Sequence, residues 1–367
     1  MINKKIAIFH NYLDNIGGAE MVTLTLAKEL GADIYTTNID FEKIKKMGFD
    51  INRIFSIGKV PLNAPFRQQI SSLRFLFLNL KNKYDLYIIS GDWAVSGAVR
   101  NKPNLCYVHS PIREIWDSYN FVKYKVVPFY LRFIFDLWVY INRVLNKFFI
   151  KNVGTLIANS KNVQDRIKKY LNRESVIIYP PINTKFLYTE NKNSGYWLSV
   201  NRLFSNKRVD MQIKAFEKIP SEKLIIVGSH EKSKHFLDYA EKIKNNLPRN
   251  VELIHWADSS EVQDLYKNCI GFITTAKDED FGMTAVEAMA SGKPVIAPNE
   301  GGYKETVINN ETGILIDDID EDKIVEAVNL IKENLQKNPN FYYESSIKQA
   351  GKFDTEIFIS KIQSMIG

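Results

Sequence analysis

The sequence is poor in the features that fix a protein from outside its own core. It has two cysteines in 367 residues, Cys106 and Cys269, each inside an apolar run. That excludes a disulfide framework and leaves no metal-ligand spacing, so both read as reduced core residues of a cytoplasmic protein. No run reaches the roughly 18 uninterrupted apolar residues that a spanning helix requires. The opening MINKKIAIFH leads into a short strand rather than a signal peptide's apolar region. On this reading the chain can touch a membrane surface without crossing it. Negative charge is in deficit: 49 Lys and Arg against 42 Asp and Glu give +7 and a pI near 9.0. That balance favours anionic partners such as nucleotides, nucleic acid or acidic lipid, without choosing among them. There is no internal repeat and no low-complexity block.

What is present is ordinary globular material, 45% hydrophobic and 25% charged, and longer than one core usually sustains. Apolar runs alternate with helical segments. KIAIFH (5–10), YDLYIIS (84–90), NLCYVHS (104–110), TLIANS (155–160) and SVIIYPP (175–181) read as parallel strands of a doubly wound α/β sheet. After Pro180-Pro181, TENKNSG (189–195) reads as a linker. The alternation then restarts through YWLSVNR, a helix over 208–218, KLIIVGS, a helix over 232–246, VELIHW, a helix over 259–267, CIGFITT and KPVIAP. A last helix covers about 354–366. The expectation is an N-terminal domain over 1–188, completed by 354–367, and a second α/β domain over 189–353. Ligands of such folds bind at the carboxyl ends of the strands.

Within 277–302, KDEDFGMTAVEAMASGKPVIAPNEGG, Glu279 and Glu287 stand eight positions apart. In one continuous helix their carboxylates would lie roughly 80° apart and two turns apart along the axis, too far to act together. Gly282 supplies the break, and a helix starts just after it. Thr284 can then serve as N-cap, with Glu287 completing a Thr-x-x-Glu capping box. The same layout leaves amides around Gly282, Met283 and Thr284 at the positive end of a helix, which suits a phosphate. Local physics leaves both readings open, a capped helix and an anion-binding turn. The triplet Asp278-Glu279-Asp280 imitates a metal site but carries little weight as one.

Three further groups stand at strand ends, and a longer segment is set apart by its composition. Gly17-Gly18 lies between the first strand and a helix, either a tight turn or a place for a phosphate or sugar to approach the backbone. His109 ends NLCYVHS, where a neutral imidazole could serve a ligand or simply satisfy the structure. In SVNRLFSNKRVD, Arg202 and Lys207 follow a strand and fit a diphosphate, or form a solvated basic turn. Segment 112–151 interleaves aromatics with Arg and Lys. It reads either as a membrane-surface face anchored by Trp116, Phe129, Phe133 and Trp138, with Lys125 and Arg132 toward head groups, or as a helix packed into the first domain's core. Residues 61–83 carry a similar mix.

The Gly17-Gly18 loop, YVHSPIREIWD, IANS, YPPIN, NRLFSNKRVD and EAMASGKPVIAPNEGGYKETV together resemble the retaining glycosyltransferases of family 4, over nearly the whole chain. The HNYLDNIGGAE and HSPIREIWD blocks look most like the branch of mannosyltransferases that build O-antigen and other surface glycans. The resemblance implies a GT-B fold, two Rossmann-like domains with a central cleft, and a nucleotide-sugar co-substrate with no metal requirement. By matching motifs, Glu279 should bind donor-sugar hydroxyls and Glu287 the ribose. The amides of Phe281, Gly282, Met283 and Thr284 should hold sugar or phosphate oxygens. Arg202 and Lys207 should offset charge on the leaving diphosphate. His109 should lie near the sugar, Gly17-Gly18 near the diphosphate, and the base near Ile254 to Asp258. Asn201, Ala285 and Asn183 depart from the family's usual Gly, Pro and Asp without removing a charge the mechanism needs.

The implied donor is GDP-mannose, with UDP-glucose or a UDP-N-acetylhexosamine as alternatives. The implied acceptor is a lipid-linked oligosaccharide or polysaccharide at the inner membrane face, with an anionic membrane surface as a further partner and no nucleic acid. A non-catalytic binding protein on the same fold is the competing class. The retention of Arg202, Lys207, Glu279 and Glu287 argues against it.

Overall fold

The computed structural model describes residues 4–188, 192–229, 234–245, 247–255 and 257–367. The chain divides into two compact units, one running to Tyr179 and including Ile359–Gly367, the other Pro180–Phe358. Unit 1 holds β1 (Ile6–Phe9), β2 (Asp33–Thr36), β3 (Ile54–Ser56), β4 (Leu86–Ile89), β5 (Asn104–Val108), β6 (Thr155–Ala158) and β7 (Val176–Ile177). They pair in parallel in the order β3-β2-β1-β4-β5-β6-β7. Unit 2 holds β8 (Tyr196–Arg202), β9 (Lys223–Ser229), β10 (Val251–Ile254), β11 (Gly271–Ile273), β12 (Val295–Pro298) and β13 (Gly313–Ile316). These are also parallel, in the order β10-β9-β8-β11-β12-β13.

Both units are Rossmann-like, and helices cover both faces of each sheet. That is why the central strands read as unbroken apolar runs: Ile6, Ala7, Ile8 and Phe9 are all at most 2% exposed. In each sheet the strand order reverses once, between β1 and β4 and between β8 and β11. In open α/β sheets such a reversal, at the carboxyl ends of the strands, is where ligands bind.

Three expectations shift. The chain divides after Tyr179 rather than at 188. Residues 180–188 are held to unit 2 by Ile182 N–H on Phe353 O (2.9 Å) and Ser291 Oγ on Leu187 O (2.9 Å). Of the expected linker, 189–191 lie outside the described residues. Of the helix expected over 232–246, Lys234–Lys244 is helical, and 232–233 and 246 also lie outside the described residues.

Segment 112–151 is neither a wholly buried helix nor the anchor set expected of a membrane face. Short turns at Tyr119–Phe121, Val122–Val126 and Phe129–Leu131 lead into one long helix, Arg132–Lys151. Trp116 and Trp138 pack inward beside Trp93, Ile112, Ile115 and Val139, while Phe129 and Phe133 point out, 78% and 80% exposed. The indoles lie inward, where Trp138 packs at a tilt 6.1 Å from Trp93 and Trp116 Nε1 donates to Asn146 Oδ1.

Candidate functional site

In unit 2 the chemistry gathers where β8 and β11 end side by side. Arg202 closes β8, a tight turn Ser205–Lys207 follows, and the helix Val209–Glu217 begins two residues later. The chain leaving β11 is laced to that turn: Thr275 Oγ1 donates to Lys207 O (2.7 Å) and Lys277 N–H to Asn206 O (2.8 Å). These ties bring Lys207 Nζ to 2.6 Å from Glu279 Oε2, with both side chains largely shielded, at 17% and 25% exposure. A shielded, charge-assisted pair of this kind fixes both groups more firmly than a surface ion pair does.

Glu279 is placed by its backbone as much as by its carboxylate. Gly302 N–H donates to Glu279 O (2.8 Å), and a Cβ on Gly301 (φ +59°) would sit 2.5 Å from that same oxygen. Glycines at 301 and 302 therefore let two backbone segments touch. Gly282 does break the chain, at φ +90°, and the helix Met283–Ala290 starts next to it. Thr284 is already inside that helix, so the expected N-cap and its capping box do not form: Gly282 in the left-handed region occupies the cap position. Glu287 turns instead to the Tyr266 hydroxyl, which donates to Oε2 at 2.8 Å, and burial holds its carboxyl above the usual range. Phe281 sends its ring into the core against Phe353, 5.2 Å between centroids, leaving its backbone to the turn. The amides of Met283 and Thr284 open the first helical turn, where N–H groups have no partner within the helix.

Two residues at this end escaped the sequence reading. Arg208, at φ +50°, donates Nε to Thr275 O (2.6 Å) and pairs with Glu300. A basic residue beside Lys207 and an acid just before Gly301-Gly302 were the available signals. Asn201 bonds Ser199 Oγ (2.6 Å). Ile254 ends β10, two strands from β8 on the same edge of the sheet, and residue 256 lies outside the described residues. Among the described residues no group of three or more His, Cys, Asp or Glu is placed to hold a metal ion.

In unit 1 the carboxyl ends of β1, β4 and β5 carry a line of hydrogen bonds. Gly17 N–H donates to Glu20 Oε2 (2.8 Å), so that amide is already engaged by a carboxylate. Glu20 Oε1 lies 3.3 Å from His10 Nε2, and His10 Nδ1 lies 3.1 Å from Thr23 Oγ1. Thr23 Oγ1 lies 2.7 Å from Ser90 Oγ, which lies 2.8 Å from His109 Nε2. His109 thus sits at the end of a five-member chain, packed against Tyr107 and His10. Burial and then the neighbouring His10 lower its pKa to about 3, so the ring is neutral at any ordinary pH.

Beside this line, Asn11 Nδ2 donates to Asp92 Oδ1, and Asn11 Oδ1 accepts from Trp93 N–H (3.1 Å) and Ala94 N–H (2.8 Å). Burial raises the pKa of Asp92. Burial together with the charge of Asp92 raises Glu114 to about 7. Asn11, Glu20, Ser90 and Asp92 were not singled out from sequence; SGD directly after an apolar strand was the signal.

Residues 16–186 match the family model Glycosyltransferase Family 4, and residues 183–347 match Glycosyl transferases group 1. An uncharacterized glycosyltransferase of Methanocaldococcus jannaschii is 32% identical over 213 residues, which is 55% of this chain and 58% of that protein, under two thirds of its length. The alpha-1,3/1,6-mannosyltransferase ALG2 of Candida glabrata is 26% identical across 94% of this chain and 88% of its own. Among solved structures, Anabaena HepE, crystallised with UDP and glucose, superimposes with a TM-score of 0.79 over 99% of both chains at 18% identity, a likeness of fold. Two family models that overlap at residues 183–186 and together span 16–347 leave one reading: the chain is a glycosyltransferase of family 4, with the two units of the GT-B class.

Proposed function

We propose that the enzyme transfers mannose from GDP-mannose, with retention of configuration, to a hydroxyl of a lipid-linked oligosaccharide or polysaccharide, working at the cytoplasmic face of a membrane. The observation that carries the reading is the Lys207–Glu279 pair, set at the strand reversal of unit 2 beside the Gly282 turn. It puts a carboxylate for sugar hydroxyls next to a cation for the leaving diphosphate. In the proposed reaction the acceptor oxygen bonds to the anomeric carbon on the face the diphosphate leaves. The anomeric carbon–phosphate oxygen bond breaks, and the acceptor's proton passes to the departing phosphate oxygen, so no protein base is needed.

Lys207 and Arg202 offset the charge that develops on the diphosphate, which is where preorganised electrostatics contributes most. Glu279 orients the sugar, Glu287 takes the ribose, and the amides of Phe281 to Thr284 hold sugar or phosphate oxygens. Neutral His109 is a hydrogen-bonding group toward the sugar, and Gly17-Gly18 faces the diphosphate. Similarity to an alpha-1,3/1,6-mannosyltransferase supports mannose. The nucleotide and glucose bound in HepE favour UDP-glucose as the second reading.

Calorimetric titration with GDP-mannose, UDP-glucose and UDP-N-acetylglucosamine tests the donor. Selective binding of GDP-mannose, with turnover abolished in Glu279→Gln, is expected. Selective binding of a UDP-sugar moves the assignment to the second reading, and binding of none overturns both.

A further inference from the structure

The Arg132–Lys151 helix is apolar on two sides. One side enters the core through Val139, Phe149 and Ile150, and two buried asparagines fix its register. Asn142 Oδ1 accepts from Gln69 Nε2 of the helix Phe66–Phe77 (3.0 Å), and Asn146 Oδ1 from Trp116 Nε1 (3.2 Å). The other side carries Phe133, Leu137, Tyr140, Val144 and Phe148 at steps of three and four, so they form one stripe. They are 80%, 53%, 68%, 55% and 51% exposed. The Gln69–Asn142 bond sets the Phe66–Phe77 helix alongside. That helix adds its own exposed stripe of Phe66 (64%), Leu73 (51%) and Phe77 (66%). Large apolar side chains exposed this densely on two adjacent helices make a patch that marks an interaction surface.

Charge selects the occupant. Segment 119–151 holds six Lys and Arg and one acid, Asp136. Lys123 sits 2.7 Å from that acid and neutralises it. Segment 61–83 holds Arg67, Arg74, Lys81 and Lys83 and no acid, and Arg67 is paired with Asp14 from outside the segment. Lys125, Lys147 and Lys151 border the stripe and are exposed. A second copy of the chain would meet this face with the same positive charges, because a two-fold contact sets a patch against itself. An anionic lipid surface offers apolar chains to the aromatics and negative head groups to the lysines. Among the described residues no helix is long and apolar enough to cross a membrane, so the contact lies in the plane of the interface.

We infer that the outward faces of the Phe66–Phe77 and Arg132–Lys151 helices form a docking surface for anionic lipid. The inference deepens the lipid-linked acceptor reading and takes its purpose from it, but vesicle binding can be scored alone.

The test is co-sedimentation of the full chain with vesicles of phosphatidylcholine, with and without phosphatidylglycerol. The expected result is partition onto phosphatidylglycerol vesicles, reversed by high salt. In Leu137→Asp/Phe148→Asp and in Lys147→Glu/Lys151→Glu, partition should weaken about tenfold or more. All four side chains are exposed, and unchanged circular dichroism and thermal melting confirm the fold. Absence of phosphatidylglycerol-dependent partition at low salt overturns the inference, as does partition indifferent to both variants. So does dimerisation without lipid that Leu137→Asp/Phe148→Asp abolishes. Donor titration on the same samples separates the two proposals. Lipid binding with no nucleotide-sugar binding sinks the transferase reading alone, and donor binding with no lipid partition sinks this one alone.

Discussion

Ser90 Oγ lies 2.8 Å from His109 Nε2 and 2.7 Å from Thr23 Oγ1, so one hydroxyl joins His109 to the Glu20–His10 pair. Proton accounting gives that line a direction. The one proton of Thr23 Oγ1 goes to Ala19 O (2.9 Å), so Thr23 accepts from Ser90, and Ser90 in turn accepts from His109 Nε2–H. Nδ1 of His109 is left as the acceptor. Ser90→Ala is expected to lower kcat/KM roughly five- to tenfold, the worth of one hydrogen bond. Ser90→Thr should restore most of it. Steady-state kinetics and nitrogen chemical shifts of the His109 ring check both, since a purely structural role would not move the tautomer.

His109 also sets a pH dependence. Its folded pKa of about 3 lies below the ordinary imidazole value of 6.5, so above pH 6.5 neither state binds the proton and the group is silent. Between 6.5 and about 3 the unfolded chain is protonated and the folded one is not, so stability falls as pH falls, by at most about 1.4 kcal/mol per pH unit. His109→Gln should flatten that part of the profile in denaturant titrations run from pH 7 to pH 4.

Glu114 acts in the opposite sense. Burial and Asp92 lift it from 4.5 to about 7. Below pH 4.5 both states are protonated, whereas above it the unfolded chain ionises first and the fold loses stability as pH rises through 7. Glu114→Gln should therefore be more stable than the parent at pH 8 and equal to it at pH 4, read as the difference in melting temperature.

Lys207→Met removes the counter-ion of Glu279 and one cation for the leaving group. A fall in kcat of about a hundredfold is expected, the usual size for losing one preorganised electrostatic group. Single-turnover assays separate that loss from donor affinity.

Gly282→Ala places a Cβ 2.6 Å from the Tyr303 ring on a backbone at φ +90°. The strain should cost on the order of 1–3 kcal/mol and lower the melting temperature.

The sequence reading reached what local pattern controls. The buried strands β1, β4, β5, β6 and β8 were legible because apolar runs betray parallel sheets, and Gly282 because only a chain break reconciles Glu279 with Glu287. It missed β2 and β3, where Asp33, Thr36 and Ser56 dilute the apolar signal, and it also missed the short β13. The Thr284 cap failed because Gly282 in the left-handed region already terminates the helix. Contacts were beyond it: Lys207 meets Glu279 across 72 positions, and Ser90 meets Thr23 across 67. The outward stripe on Arg132–Lys151 was ambiguous because a helix apolar on two sides has the composition of a core helix.

The helix Thr355–Ile366 begins in unit 2 and ends in unit 1, where Ile362 and Ile366 are buried. Unit 1 is thus drawn from both sides of unit 2 in the chain. During synthesis its core has to wait, several apolar side chains short, while the ribosome makes the whole of unit 2. Lys4 Nζ, bonded to Ile366 O, then ties the approach to β1 to the end of that helix.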